Sequence, residues 1–205
     1  MDVQTFLTAL AAKRRAEQAR ERSAFTLPTG FRVPWDLERA IQHRWLVQPV
    51  LAQSIYASAA ARVGVPDNTP AQIESWAAQY RSCNWELTTG RDSGVIGVEM
   101  DMRLAWESLR LVSEDFWEDL ESTLWFEAGC RRMALFSYAE NLPRIGRPFA
   151  DYFKLYTNGK TILIPPSCLA GSQLAYRNSS SPATVPAWLF YRCATCARAD
   201  LTKSA

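Results

Sequence analysis

Two acids, Glu99 and Asp101, lie two positions apart at the end of an apolar stretch, residues 95–98. Residues two apart in a β-strand point to the same face, so the two carboxylates are predicted to lie side by side. Adjacent carboxylates repel each other, and proteins usually offset that repulsion with a cation. Mg²⁺ and Mn²⁺ prefer oxygen ligands, which makes the pair a candidate metal site. The alternative is a strand that ends in two solvated acids.

A β-hairpin is predicted to position these acids. Residues 84–88 are rich in aromatic and β-branched side chains, and residues 95–101 read as a second, buried strand. The segment between them, Gly90 to Gly94, is dense in turn-forming residues. Upstream, Thr69 is a predicted N-cap, Pro70 occupies the first helical position, and Gln72 completes a capping box.

The remaining elements are read from the same rules. A short helix over residues 35–43 precedes a first core strand over residues 45–51. Ser113 is predicted to cap a later helix. Further strands are predicted over residues 123–128, 132–138 and 161–164, the last ending at Pro165-Pro166.

Five sequence pieces in this order resemble the bifunctional DNA primase/polymerase (Prim-Pol) family of the archaeo-eukaryotic primase superfamily. The resemblance covers roughly residues 41–190. The matching residues are Ile73, Trp76, Asn84, Thr89, Gly90, Ser93, Gly94, Glu99, Asp101, Pro165-Pro166-Ser167 and Pro186-Ala187-Trp188-Leu189. The resemblance implies an α/β (α+β) fold: a primase–polymerase-type mixed sheet with flanking helices, to which this chain adds an N-terminal helical arm.

The resemblance also implies a two-metal site for nucleotidyl transfer, in which Glu99 and Asp101 are the catalytic and metal-binding acids. In the family, a histidine and a third acid complete the site. Here the histidine position carries Arg132, and the third-acid position, counted back from Pro165, carries Lys154. Asp151 replaces that acid only if the strand slips in register, which is costly. The sequence therefore predicts a degenerate site with weak Mg²⁺ or Mn²⁺ binding at most.

The cations at these positions have two interpretations. Arg131, Arg132 and Lys154, facing Glu99 and Asp101, are candidates for binding the phosphate of a nucleotide or nucleic acid. In the alternative, Arg132 and Lys154 neutralise the two acids in place of a metal, and the pocket is a structural ion-pair relic.

The chain is predicted to contain a charged N-terminal helix over residues 1–26, a Prim-Pol-like domain over residues 27–191, and a C-terminal tail over residues 192–205. The helix is either a solvated, ion-paired end or an arm that follows a phosphate backbone. A net charge of +2 does not by itself indicate nucleic-acid binding. No stretch resembles a secretory signal or a membrane span, so we expect a soluble, cytoplasmic protein without membrane contact.

The five cysteines have no spacing typical of a disulfide framework or a zinc site. Cys193 and Cys196 form a CxxC pair near the C-terminal end, and reduced thiols are the favoured interpretation.

Three functional hypotheses remain open. The first is a replication-associated protein that binds nucleotides or nucleic acid, such as DNA, with a degenerate catalytic site. The second is an active metal-dependent primase or DNA polymerase with a divergent site. The third is a protein-interaction module that reuses the fold. A helicase or another replication protein is the predicted partner.

Overall fold

The computed structural model describes residues 31–51, 61–104, 115–140, 142, 153–169, 171–187 and 189. Three helices in this part of the chain flank the sheets: α1 (Trp35–Gln42), α2 (Pro70–Gln79) and α3 (Asp115–Ser122). The strands are β1 (Val47–Leu51), β2 (Ala61–Arg62), β3 (Asn84–Thr88), β4 (Val95–Asp101), β5 (Leu124–Ala128), β6 (Arg131–Ser137), β7 (Phe153–Tyr156), β8 (Thr161–Ile164), β9 (Cys168–Leu169), β10 (Ser172–Gln173) and β11 (Ala175–Tyr176).

The strands divide between two sheets and a short ribbon, where we expected one mixed sheet. The five-stranded sheet has the order β11-β5-β6-β4-β7, and the four-stranded sheet has the order β2-β1-β3-β8. The ribbon consists of β9 and β10. All ladders between the described strands are antiparallel, and a single isolated bridge, between Phe136 and Ala183, is parallel. The α+β class is confirmed.

Glycine is required at two places in the predicted hairpin. Gly90 has φ +120°, and a Cβ there would lie 3.0 Å from the backbone of Asn158. At Gly97, in the middle of β4, a Cβ would lie 3.1 Å from Met133 Sδ and 3.2 Å from Ile162 Cδ1. Ile162 belongs to the four-stranded sheet, so the bare Gly97 backbone is a point of close approach between the two sheets.

The core has two parts, one on each face of the five-stranded sheet. The first joins α1, α2 and the four-stranded sheet to one face, and its largest fully buried side chains include Trp45 and Phe126. The second covers the opposite face with α3 and the segment around Val185 and Leu189. β4 and β6 are buried on both faces over residues 95–98 and 133–136, and these stretches are continuous apolar runs that do not alternate.

Several local predictions are confirmed, and one is wrong. The β3–β4 hairpin, α1, the strands near residues 124–137 and 161–164, and Pro70 at the first position of α2 are all present. The capping box is wrong, because the Thr69 hydroxyl donates to Asp67 Oδ1 at 2.7 Å and makes no bond to the helix. Gln72 is buried, and its Oε1 has no hydrogen-bond partner.

Other predictions lie outside the described residues. These are the charged helix over residues 1–26, the cap at Ser113, the substitute acid Asp151, the C-terminal tail, and the Cys193–Cys196 pair. The domain division into residues 1–26, 27–191 and 192–205 stays a prediction. In the described part, Cys83, Cys130 and Cys168 are free thiols, and burial raises the pKa of Cys83 to about 11.

Candidate functional site

Glu99 and Asp101 occupy the end of β4, an interior strand that pairs with β6 on one side and β7 on the other. Residues directly opposite each other in an antiparallel pair share a face of the sheet. Glu99 lies opposite Met133 and Lys154, and Asp101 lies opposite Arg131. We call this face of the five-stranded sheet the front face. The prediction that the two acids share one face at the end of a central strand is confirmed.

Glu99 is held by two partners on neighbouring strands. Arg131 Nη1 donates to Glu99 Oε1 at 2.9 Å, and the Tyr156 hydroxyl donates to Glu99 Oε2. The carboxylate is mostly buried, with 18% of its side chain exposed, whereas 56% of the Arg131 side chain is exposed. Burial, and then the hydrogen bond to Glu99, raises the pKa of Tyr156. The tyrosine therefore stays a neutral donor, and both oxygens of Glu99 are occupied.

Asp101 is paired with an arginine that the sequence analysis did not single out. Arg103 Nη2 donates to Asp101 Oδ2 at 3.0 Å, and the Arg103 backbone N–H donates to Oδ1 at 3.0 Å. The hydrogen bond from the Arg103 side chain is the main reason that the pKa of Asp101 is lowered. Because 73% of the Arg103 side chain is exposed, the guanidinium lies over the carboxylate at the protein surface.

Arg132 does not face the acids, which corrects the sequence analysis. It lies opposite Met100 on β4 and Glu127 on β5, and therefore projects from the back face. Its guanidinium carbon lies 3.8 Å from the centroid of the Trp125 ring. Its Nε is 3.9 Å from Glu127 Oε2 and makes no hydrogen bond. Arg132 is thus packed into the back face, where burial lowers its pKa, and it does not pair with Glu99 or Asp101 on the opposite face.

Lys154 does lie on the front face, directly opposite Glu99. Its side chain is exposed, and Nζ lies 4.6 Å from the centroid of the Tyr156 ring. No described acid lies within ion-pair distance of Lys154. The position that the sequence analysis found by counting back from Pro165 is thus a lysine, and it lies next to Glu99.

A cleft of about 200 Å³ opens beside Glu99, between β4, β6 and β7 of one sheet and β8 of the other. The charged and hydroxyl-bearing residues of its wall are Glu86, Glu99, Arg131, Arg132, Tyr156 and Thr161. Arg132 borders the cleft although its guanidinium packs over Trp125 on the back face. Its apolar wall includes Phe126, Ile162, Leu163, Leu169 and Leu174. Glu86 comes from β3, so the cleft receives carboxylates from both sheets.

The described residues do not fit a two-metal centre. No group of three or more His, Cys, Asp or Glu side chains is arranged to hold a metal within the described ranges. Arg131 and Arg103 cover the two acids, and Lys154 adds a further positive charge beside Glu99. A divalent cation at this place would have to displace two guanidiniums and tolerate an ammonium group.

Several motif residues are structural. Ser167 Oγ accepts the backbone N–H of Trp85 at 2.6 Å and donates to the Trp85 carbonyl, which ties the Pro-Pro-Ser corner to β3. Thr89 donates to the Lys160 carbonyl, and Ser93 accepts the backbone N–H of Leu46. These polar side chains hold the hairpin and β8 in place behind the cleft.

Tyr156, Arg103 and Glu86 were missed by sequence reasoning. Tyr156 follows Lys154 by two positions, so strand alternation alone would have placed it on the same face as Glu99. Arg103 follows Asp101 by two positions, but it lies beyond the strand, where alternation no longer applies. Glu86 gives no sequence signal, because its place in the cleft depends on how the two sheets pack.

Comparison with known protein families agrees with this geometry. The family model described as "Bifunctional DNA primase/polymerase, N-terminal" (Prim-Pol) matches residues 37–188, well over half of the 205-residue chain. No curated protein matches the sequence. The match spans most of α1, both sheets, the acid pair and the Pro-Pro-Ser corner, and the chain therefore belongs to the bifunctional DNA primase/polymerase N-terminal domain family.

Proposed function

We propose that the front face around Glu99 and Asp101, beside this cleft, binds the phosphate of a nucleotide or of DNA, and that the chain is a replication-associated binding domain with a degenerate catalytic site. The observation that carries this proposal is the charge arrangement on the front face. Both acids already have arginine partners, and Lys154 occupies the position beside Glu99.

The exposed cations are suited to an anionic ligand. Arg131 and Arg103 each keep more than half of the side chain exposed, so their unused N–H groups are accessible to phosphate oxygens. A guanidinium binds phosphate in a bidentate manner, and Lys154 adds an exposed point charge. The acids beneath the arginines fix the direction in which the guanidiniums point and lower the entropy cost of binding.

One observation favours an active primase or polymerase as the second candidate. Glu99 and Asp101 keep the same-face placement at the end of an interior strand that metal-dependent nucleotidyl transfer requires. In that case the third ligand has to come from outside the described residues, and Asp151 is the residue to test.

The binding proposal is tested by fluorescence anisotropy with labelled single-stranded DNA and by calorimetry with a nucleoside triphosphate, both in metal-free buffer. We expect Lys154→Ala and Arg103→Ala each to weaken binding several-fold and to reduce the slope of affinity against salt concentration, because each removes one phosphate contact. Arg91→Ala is the matched control, since Arg91 is an exposed arginine paired with Glu140 outside the cleft.

Equal losses in all three variants would show a diffuse charge effect and contradict a phosphate site on the front face. No binding of either ligand to the unmodified chain would contradict the proposal outright and favour the interaction-module hypothesis.

A helicase or another replication protein as partner, and a cytoplasmic location, remain predictions. None of the described helices has the length and hydrophobicity that a membrane span requires.

A further inference from the structure

Glu86 projects into the same cleft as Glu99, but from β3 of the four-stranded sheet. Arg62 Nε donates to Glu86 Oε2 at 2.8 Å, and Gln48 Nε2 donates to the same oxygen at 3.2 Å. Only 13% of the Glu86 side chain is exposed. The carboxylate is thus held in one orientation by two donors that both use one of its oxygens.

The second oxygen of Glu86 is available. Oε1 accepts no hydrogen bond from a described residue, and it is not among the fully enclosed polar atoms that lack a partner. An ionised carboxylate can only accept hydrogen bonds, so the group that satisfies Oε1 must be a donor. Arg62 is already engaged through Oε2 and also donates to the Thr161 hydroxyl at 3.3 Å.

The surroundings of Glu86 fit the neutral part of a nucleotide. Phe126, Leu169 and Leu174 supply an apolar wall, and Arg131 supplies the cation of the same cleft. A cleft that combines an apolar wall, one fixed acceptor and one exposed guanidinium offers separate places for a flat ring, a donor group and a phosphate.

We infer that Glu86 is a specificity-determining residue that accepts a hydrogen bond from the nucleoside part of a nucleotide whose phosphate lies at Arg131. This inference rests on the proposed phosphate site. Two parts of a nucleoside carry suitable donors: the ribose 2′-hydroxyl, since carboxylates bind ribose hydroxyls in other nucleotide sites, and the N–H groups of the base, which lie at different ring positions in adenine and guanine. The shared chemistry is a neutral donor presented to a fixed carboxylate.

A panel of four nucleotides separates the two sources. The unmodified chain and Glu86→Gln are titrated with ATP, dATP, GTP and dGTP by calorimetry in metal-free buffer. A hydrogen bond to a charged acceptor corresponds to roughly a tenfold change in affinity or more. We expect the unmodified chain to prefer ribonucleotides over deoxyribonucleotides by that factor if the 2′-hydroxyl is the donor. If the base is the donor, we expect it to prefer one base over the other by that factor, because the N–H groups of adenine and guanine lie at different ring positions.

In Glu86→Gln the preference is expected to shrink to less than about threefold, because the charged acceptor is gone. Glu140→Gln is the matched control, because Glu140 also pairs with an arginine, Arg91, at 2.8 Å but lies outside the cleft. It should keep the full preference. Should Glu86→Gln fold poorly in a thermal melt, Glu86→Asp keeps the charge but withdraws the carboxylate, and the same loss of preference is expected.

The outcomes distinguish this inference from the proposed phosphate site. Equal binding of all four nucleotides to the unmodified chain, or an unchanged preference in the Glu86 variants, overturns the role of Glu86 and leaves the phosphate site standing. No binding of any nucleotide to the unmodified chain overturns both.

Discussion

Arg131 and Arg132 are neighbours in the chain, yet they serve the two faces of the five-stranded sheet differently. Arg131 lies on the front face, is more than half exposed, and bonds a mostly buried carboxylate at 2.9 Å. Arg132 lies on the back face, is 15% exposed, and packs over Trp125. On the front face the charged groups of Arg131 and Glu99 lie beside a cleft, whereas on the back face the guanidinium of Arg132 is packed against neighbouring side chains.

This difference shows that a basic pair in a sequence does not define a phosphate site. A strand separates adjacent side chains onto opposite faces, so at most one of the two arginines can contact a ligand beside Glu99. The second arginine contributes to the fold through its stem and its contact with the indole ring. The five-stranded sheet is thus divided into a ligand-binding front face and a structural back face.

The largest effect concerns catalysis on the front face. We expect no template-dependent primer extension above background with Mg²⁺ or Mn²⁺, because two-metal transfer depends on every ligand and loss of one costs orders of magnitude. The measurement is a gel-based extension assay with the unmodified chain and Asp101→Ala. Extension that disappears in Asp101→Ala would show a working enzyme and direct attention to Asp151.

The next effect concerns metal affinity. Lys154→Asp replaces the ammonium group opposite Glu99 with a third carboxylate on the front face, so we expect Mn²⁺ affinity to rise by about tenfold or more. Lys160→Asp, at another exposed lysine, is the control and should leave the affinity unchanged. Calorimetric titration gives both values. An equal rise in Mn²⁺ affinity in the two variants would mean that only the net charge of the protein matters.

By contrast, Arg132→His places an imidazole on the back face, so it should not improve metal binding.

The loss of stability should differ in size between the two faces. Arg132→Ala removes a buried stem and a cation–π contact, and we expect it to lower the free energy of unfolding by about 1–3 kcal/mol. Arg131→Ala removes an exposed partner of Glu99, so its cost should stay below about 1 kcal/mol. Urea denaturation of both variants measures the difference. A larger loss for Arg131→Ala would contradict the assignment of the two faces.

The smallest effect is the pH dependence of Asp101. Its pKa is lowered in the folded protein, so its contribution to stability is present above about pH 4, the range of an ordinary aspartate, and is lost as the pH falls through the lowered pKa. Arg103→Ala should raise that pKa towards its usual value. An NMR titration of the carboxyl carbon measures the shift, and an unchanged pKa would mean that Arg103 is not its main cause.

The sequence was sufficient to predict the hairpin, the shared face of the acids, and the lysine opposite Glu99. These features depend on short-range rules: glycine-rich turns, strand alternation, and counting from Pro165. The placement of Arg132 could not be predicted in this way, because Met133 to Phe136 are all buried and leave no alternation to fix which face each residue takes. The position of Glu86 in the cleft could not be predicted either, because it depends on how the two sheets pack against each other and not on the local sequence.

The most direct test of the front-face site is nucleoside triphosphate binding to the adjacent variants Arg131→Ala and Arg132→Ala. Calorimetry in metal-free buffer, on variants shown by circular dichroism to be folded, compares them with the unmodified chain. We predict that Arg131→Ala weakens binding by about tenfold, since it loses a charge-assisted contact to phosphate, whereas Arg132→Ala binds as the unmodified chain does. Equal weakening in both variants, or a loss confined to Arg132→Ala, would contradict a phosphate site on the front face.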